Sequence, residues 1–530
     1  MVETKKFKVL VSDPVSEDGV KLIEDVAQVD IRTDLSPQEL IEVIGEYDAL
    51  MVRSGTKVTA DVIAAGKNLK VIGRAGVGVD NIDVEKATEM GVLVVNAPEG
   101  NTISAAEHTM ALMLAMARNI SGASASMREN LWQRSKFLGV ELFKKKLGII
   151  GTGRIGGNVA NKARAFGMEI LAYDPYISTE QIEKLGITPA TLEEIFKEAD
   201  FITLHVPKTS QTLHMIGERE FSLMKDGVRI INCARGGLIN ENDLYNAILS
   251  GKVAGAALDV FEEEPPKDNP LFSLEQVIAT PHLGASTQEA QEKVAVQVAD
   301  QIAHVFRGEP VNMAVNAPVL PPEIMAEVEH FIPLMETMGS FYMQVFDGKV
   351  DKIEVEYNGE IAAYPVTSLT TALLIGFLRI MLKSNVNFVN APLLASQRGI
   401  KVKEILSSSA EPFHNLITVS VTAGDDVYTI AGTLFDGDDI RIVQLGDYHI
   451  EVVPSRYMVV NCYDDRPGVI GKVGTILGEK NINIGNMQVG RQQNRGEALM
   501  VLQVDVPVTK KILEEIKGIG HIKSTSFVEL

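Results

Sequence analysis

Short apolar runs separated by amphipathic stretches mark the first 280 or so residues. Val9–Val11, Ala49–Val52, Leu69–Ile72 and Val92–Val95 are apolar at nearly every position. That pattern predicts parallel strands buried on both faces. Ile103–Asn119 is apolar nearly all round and predicts a long buried helix. The strand–helix alternation resumes at Lys146. Strands are predicted at Leu147–Ile150, Glu169–Tyr173, Phe201–Leu204, Val228–Asn232, Ala254–Leu258 and Val277–Ala279. A doubly wound α/β arrangement follows. Ser286–Arg307 predicts a further helix, stopped by Gly308 and Pro310.

The pattern changes after Met313. Ala317–Pro322 holds three prolines and predicts a linker. From there to about Pro454, one helical stretch (Ser368–Lys383) stands among strand patterns such as Asn415–Val421 and Val427–Ile430. Ser455–Leu530 predicts strand, helix, strand, strand, helix, strand, a ferredoxin-like module.

Length and charge narrow the function classes. A chain of 530 residues exceeds a single core. Its net charge of −20 argues against a nucleic-acid or anionic-membrane partner. A small anionic substrate would need a local arginine cluster. Cys233 and Cys462 are the only two cysteines, too few for a disulfide framework, which fits a reducing cytoplasm. Met1–Lys8 carries no apolar targeting core. Ala111–Ala117 and Leu373–Ile380 are too short to span a bilayer.

The strand Leu147–Ile150 runs into Gly151-Thr152-Gly153-Arg154-Ile155-Gly156 and then a predicted helix. Gly151 makes the tight turn, Gly153 admits a pyrophosphate, and Gly156 lets helix and strand pack closely. The phosphate charge would rest on the helix N-terminus. Asp174 ends the next strand, 18 residues beyond Gly156. A carboxylate there accepts from ribose hydroxyls and repels a 2′-phosphate, so the expected cofactor is NAD. A solvated turn aspartate is the plain alternative.

Three more strand ends carry Cys233-Ala234-Arg235-Gly236-Gly237, Asp259 to Pro265, and Thr280-Pro281-His282-Leu283-Gly284. Ligands bind outside those ends in open α/β sheets. Arg235, Glu264 and His282 can therefore meet over one crevice. A guanidinium grips a carboxylate at two points, an imidazole moves a proton, and an acidic partner fixes its tautomer. His205, after Phe201–Leu204, is the rival acid/base group. His108, within the long helix, reads as a satisfied core histidine. Arg235 as a helix cap and Glu264 as a charged loop edge are the plain alternatives. No metal is expected.

At these residues the chain resembles the D-2-hydroxyacid dehydrogenases, in their long, phosphoglycerate-oxidising branch. Gly73–Asp83, Asn96–Asn101, the glycine fingerprint, Asn232–Gly237 and Thr280–Ala285 carry the resemblance. It implies that Arg235, Glu264 and His282 are catalytic. It implies cofactor contacts at Arg154, Ile155, Asp174, Cys233, Ala234, Asp259, Leu283, Gly284 and Ala285. It places a substrate phosphate near Arg53, Arg74 and Arg134, the last from a neighbouring subunit, and so implies a homo-oligomer. The substrate carboxylate falls near Arg235, Val77 and Gly78. The implied architecture is a split substrate lobe (1–97 and 283–315), a Rossmann lobe (98–282), an intervening domain (316–454) and a terminal ACT domain (455–530). Residues alone allow these arginines to be ordinary surface charges.

ACT domains bind amino acids, and the motif Val459–Ile470 with Asn481–Ile484 resembles one. The resemblance implies an effector, expected to be serine, at Tyr463, Asp465, Gly468 and Asn483. Tyr463 stands where some serine-inhibited relatives carry histidine. The plain alternative is a helix start capped by Asp465. Lys383, Arg398, Lys401 and Lys403 are possible anion groups of the middle domain, or a solvated face. Two other functions compete: oxidation of a different small 2-hydroxy acid, and a non-enzymatic dinucleotide-sensing scaffold.

Overall fold

The computed structural model describes residues 7–346, 348–382, 385–491 and 496–530. Strands β1 (Phe7–Val11), β2 (Ala27–Ile31), β3 (Ala49–Val52), β4 (Val71–Arg74) and β5 (Leu93–Asn96) form one parallel sheet, ordered β2-β1-β3-β4-β5. Seven strands form a second: β6 (Lys146–Ile150), β7 (Glu169–Tyr173), β8 (Thr188–Pro189), β9 (Phe201–Leu204), β10 (Val228–Asn232), β11 (Val253–Leu258) and β12 (Val277–Ala279). Its order is β12-β11-β10-β9-β6-β7-β8. The direction of winding reverses between β6 and β9, which opens a crevice at their C-terminal ends.

The chain crosses between these two lobes twice. The first crossing runs through Ala97–Asn101 into the helix Thr102–Ala117, which buries Ala106, Met110 and Met113 on the second sheet. The second leaves β12 through the His282 turn into the helix Gln288–Arg307. That helix buries Val294, Val298 and Ile302 on the first sheet. Asn316 accepts from the Val94 amide at 2.8 Å, tying the end of this segment to β5.

The middle unit is a six-stranded sheet: β13 (Lys352–Gly359), β14 (Lys401–Ser407), β15 (Asn415–Ala423), β16 (Asp426–Phe435), β17 (Asp439–Leu445) and β18 (Tyr448–Val452). The order is β14-β13-β15-β16-β17-β18. Four helices accompany it: Pro322–Val328, Phe331–Val345, Thr367–Leu382 and Ala391–Gln397. The helical content thus exceeds the one stretch expected. Phe331–Val345 hides from periodicity because it is apolar on most faces and carries Pro333 and Gly339. It is buried on two sides, so it lacks the polar stripe that marks a helix.

β19 (Tyr457–Asp464), β20 (Ile484–Arg491), β21 (Glu497–Val504) and β22 (Ile522–Glu529) close the chain in the order β20-β21-β19-β22, with helices Val469–Glu479 and Lys510–Lys517. One face of this sheet packs on its own helices through Val459, Met500 and Leu502. The other, with Met458, Val460, Val501 and Val528, joins the core of the middle unit. Gln344 and Glu529 seal the seam by exchanging two hydrogen bonds of 3.0 Å. The middle unit meets the first lobe where Asn387 donates to the Gly91 carbonyl at 2.8 Å and Val389 enters the core of the first sheet.

Candidate active site

The cofactor side is built on β6. Gly151 takes φ +95°, and a Cβ there would meet the His205 carbonyl at 2.5 Å. The helix Arg154–Ala165 starts at Gly153 with no side chain capping it. A Cβ added at Gly153 would meet nothing within 4 Å, so open space stands before the free amides. That is the cradle a pyrophosphate requires. Asp174 ends β7, and its Oδ2 accepts from the Thr152 amide at 2.8 Å while Oδ1 accepts from that of Tyr176 at 2.9 Å. The Thr152 hydroxyl also donates to Oδ2 at 3.3 Å, so Oδ1 is the oxygen that keeps a lone pair for a ribose hydroxyl. These residues fit a bound dinucleotide. Arg154 pairs with Glu99, on the first crossing between the lobes, at 3.0 Å. Ile155 packs at the edge of the core under β6 and β7. Cys233 is partly buried beside Thr109, and desolvation pushes its thiol up to about 12.

The substrate side is a cavity of about 480 Å³ between the lobes. Arg53, Arg74, Val77, Gly78, Arg235, Glu264, His282 and Ala285 all line it. His282 Nδ1 lies 2.7 Å from Glu264 Oε2. A carboxylate on Nδ1 holds the proton there and leaves Nε2 to accept. Pairing with His282 and a bond from the Phe261 amide hold the Glu264 carboxyl below its ordinary range, against the pull of burial. Arg235 donates to the Ala234 carbonyl at 2.7 Å and pairs through Nε with Asp80 at 3.0 Å. Its guanidinium lies over Gly78, where a Cβ would come within 2.0 Å of Nη2. Burial, together with the charges of Arg235 and Arg53, lowers Arg74 to about 10. Its Nε has no partner among the described residues. Arg53 is set by buried Asp13, whose Oδ2 accepts from the Arg53 amide at 2.6 Å. Arg53, Arg74 and Arg235 crowd one cavity in which Asp80 and Glu264 offset only part of their charge, so the site attracts an anion.

Not every expected residue arrives at this cavity. Arg134 lies exposed on a short 3-10 turn, Arg134–Phe137, outside the cavity lining of its own chain. Asp259 is fully buried and spends its oxygens on Thr280, Leu283, Gly284 and His108. His205 sits at the end of β9, bonded through Nε2 to Thr203 Oγ1 at 3.1 Å, and burial drives it down to about 4. Asp80 was not singled out, although the glycine-rich motif contains it. A guanidinium packed on a glycine loop needs a nearby acid, and Asp80 is the one that loop offers.

In the terminal unit, Gly468 takes φ +91° and opens the helix Val469–Glu479 without any side-chain cap. Asp465 is therefore no cap, and it pairs with Arg491 at 3.2 Å. Asn483 donates to Asp505 at 2.9 Å. The Tyr463 hydroxyl is buried with no partner among the described residues. In the middle unit, Lys403 pairs with Glu354 at 3.4 Å and Arg398 donates to the Leu394 carbonyl. Lys383 lies outside the described residues.

A dinucleotide cleft that opens beside a guanidinium, an imidazole and its carboxylate defines a class, the NAD-linked 2-hydroxyacid dehydrogenases. Residues 110–284 match the family model of the D-isomer specific 2-hydroxyacid dehydrogenase NAD binding domain. Residues 327–446 match the D-3-phosphoglycerate dehydrogenase intervening domain, and 457–521 match the ACT domain. D-3-phosphoglycerate dehydrogenase of Methanocaldococcus jannaschii is 47% identical over 99% of this chain and 100% of its own length. That of a Synechocystis strain is 46% identical over 99% of this chain and 95% of its own. Among solved structures, D-lactate dehydrogenase of Aquifex aeolicus with NAD and lactic acid is similar at TM-score 0.52 and 32% identity, over 57% of this chain and 96% of that one. The chain belongs to the D-3-phosphoglycerate dehydrogenase family. Among the described residues, no helix is long and apolar enough to cross a membrane.

Proposed function

We propose that this protein oxidises D-3-phosphoglycerate to 3-phosphohydroxypyruvate with NAD, the first step toward L-serine, in the cytoplasm. The observation that carries the reading is the His282–Glu264 pair at 2.7 Å, which lines one cavity with Arg53, Arg74 and Arg235. Arg235 grips the substrate carboxylate beside the Val77–Gly78 backbone. Arg53 and Arg74 take the phosphate, with Arg134 completing the set from a second subunit. Nε2 of His282 removes the C2 hydroxyl proton. Glu264 stabilises the imidazolium that results. Gly151–Gly156 and Asp174 would hold NAD, which would supply the hydride acceptor for C2. The need for a local cationic cluster on a chain of net charge −20 is met here.

Feedback by L-serine fits the ACT module. The unpartnered Tyr463 hydroxyl, Asp465, Asn483 and the free helix start at Gly468 are the residues for an amino acid's ammonium and carboxylate groups. Two features support assembly as a homo-oligomer. Arg134 stands away from its own cavity, and Trp132 (81% exposed) and Leu138 (88% exposed) flank it. Large apolar side chains so exposed call for a covering partner.

The test is NADH formation with D-3-phosphoglycerate, D-lactate and D-glycerate, each with and without L-serine. Turnover of the phosphorylated acid alone, depressed by serine, is the expected result. Preference for an unphosphorylated acid would assign a different substrate, and no turnover at all would favour a dinucleotide-sensing scaffold.

A further inference from the structure

The turn that presents His282 is strained. His282 adopts φ +54°, a left-handed backbone that side chains other than glycine disfavour by about 1 kcal/mol or more. Neighbouring groups must hold it there, and Asp259 supplies most of them. Its carbonyl accepts from the His282 amide at 2.9 Å. Its Oδ1 accepts from the Leu283 amide at 2.7 Å and from Thr280 Oγ1 at 2.6 Å, and its Oδ2 from the Gly284 amide at 2.8 Å. Those bonds demand an ionised carboxylate, and Asp259 has no exposed surface. A buried charge without a countercharge is costly. The ion pair recorded for Asp259 is to His108, whose Nε2 lies 3.1 Å from Oδ1 and 3.3 Å from Thr280 Oγ1.

His108 sits on the helix Thr102–Ala117, the segment that follows the first crossing between lobes. Ser104 lies one turn earlier on the same face. Its hydroxyl donates to the Gly284 carbonyl at 2.9 Å. The helix therefore grips the turn at two points. We infer that His108 is a positioning residue for His282: its Nε2 holds the buried Asp259 carboxylate, which in turn fixes the Leu283 and Gly284 amides and so the direction of the catalytic imidazole. This rests on the role proposed for His282. It replaces the reading of His108 as a mere core histidine. Asp259 is the titratable group facing His108. Cys233 and Glu264 both feel the Asp259 charge, and Glu107, on His108's own helix, pairs with Lys162.

The experiment compares full-length wild type with His108→Leu and His108→Gln. In His108→Leu, kcat is expected to fall about 30-fold, while substrate KM and calorimetric NAD affinity stay within about 3-fold. The acid limb of its kcat profile moves up, because Asp259 loses the largest of the contacts that hold its carboxyl below the ordinary range. His108→Gln, with a donor near the Nε2 position, recovers kcat to within about 5-fold but leaves the limb shifted. Wild-type rate and limb in His108→Leu would overturn the role. So would a joint loss of kcat and both affinities that glutamine does not rescue, the mark of a plain packing residue. A wild-type chain that forms no NADH would overturn the functional reading and this role with it. Altered His108→Leu kinetics can be read only beside an active wild type, so the two failures are distinct.

Discussion

His205 follows β9 and His282 follows β12, with β10 and β11 between them, and their surroundings part them. His282 is solvent-reachable and faces a carboxylate, whereas His205 is driven down to about 4 by burial. His282→Ala is expected to lower kcat by about 100-fold or more with NAD affinity held. A near-normal rate would move the acid/base role to His205. His205 makes its own prediction. It is neutral in the native state, while its unfolded counterpart takes a proton near pH 6.5. The unfolded chain thus binds more protons between about pH 6.5 and 4, and stability falls as pH drops through that window. His205→Asn should lose less melting temperature than wild type between pH 7 and 5, read by calorimetry. Cys233 gives a third expectation. With its thiol at about 12, its thiolate fraction at pH 8 is about 10⁻⁴. Mass spectrometry should find Cys233 unmodified in the time iodoacetamide takes to alkylate a small free thiol to completion.

At the scale of elements, strands were more legible than helices. Glu169–Tyr173, Phe201–Leu204, Val228–Asn232 and Val277–Ala279 appear with the predicted ends, because the strands of this parallel sheet are bounded sharply by turn residues. Phe331–Val345 was illegible for the opposite reason: burial on two sides erases periodicity. The catalytic trio was legible because its glycine and proline neighbours stand at strand ends. The roles of Asp80 and His108 were not, since each depends on a partner more than 100 residues away, at Arg235 and Asp259. The buried helices also carry a prediction. Gly339 and Gly376 let Phe331–Val345 and Thr367–Leu382 touch, and a Cβ at Gly376 would meet the Glu336 carbonyl at 2.2 Å. Gly376→Ala should destabilise the middle unit by about 1–3 kcal/mol in denaturant unfolding, leaving basal turnover nearly unchanged.

For the whole molecule, the location of Arg134 predicts shared sites. Arg134→Ala should raise the KM for D-3-phosphoglycerate without weakening NAD binding. Mixed and reassembled with His282→Ala, it should form hybrids in which one subunit's intact site borrows the other's arginine. In dimers, about a quarter of wild-type activity should return from two poor parents. Absence of such recovery would keep Arg134 out of the neighbouring site.

The terminal sheet and the middle unit share one apolar core, whereas the middle unit meets the first lobe through Asn387 and Val389 at Gly91. The rear half is thus welded, and its joint to the front runs through the Asn387 bond and the buried Val389. A chain cut between Asn316 and Pro322 would bare little oily surface on either piece. The catalyst should survive that cut, deaf to serine, and the severed half should be transplantable as a ready-made brake.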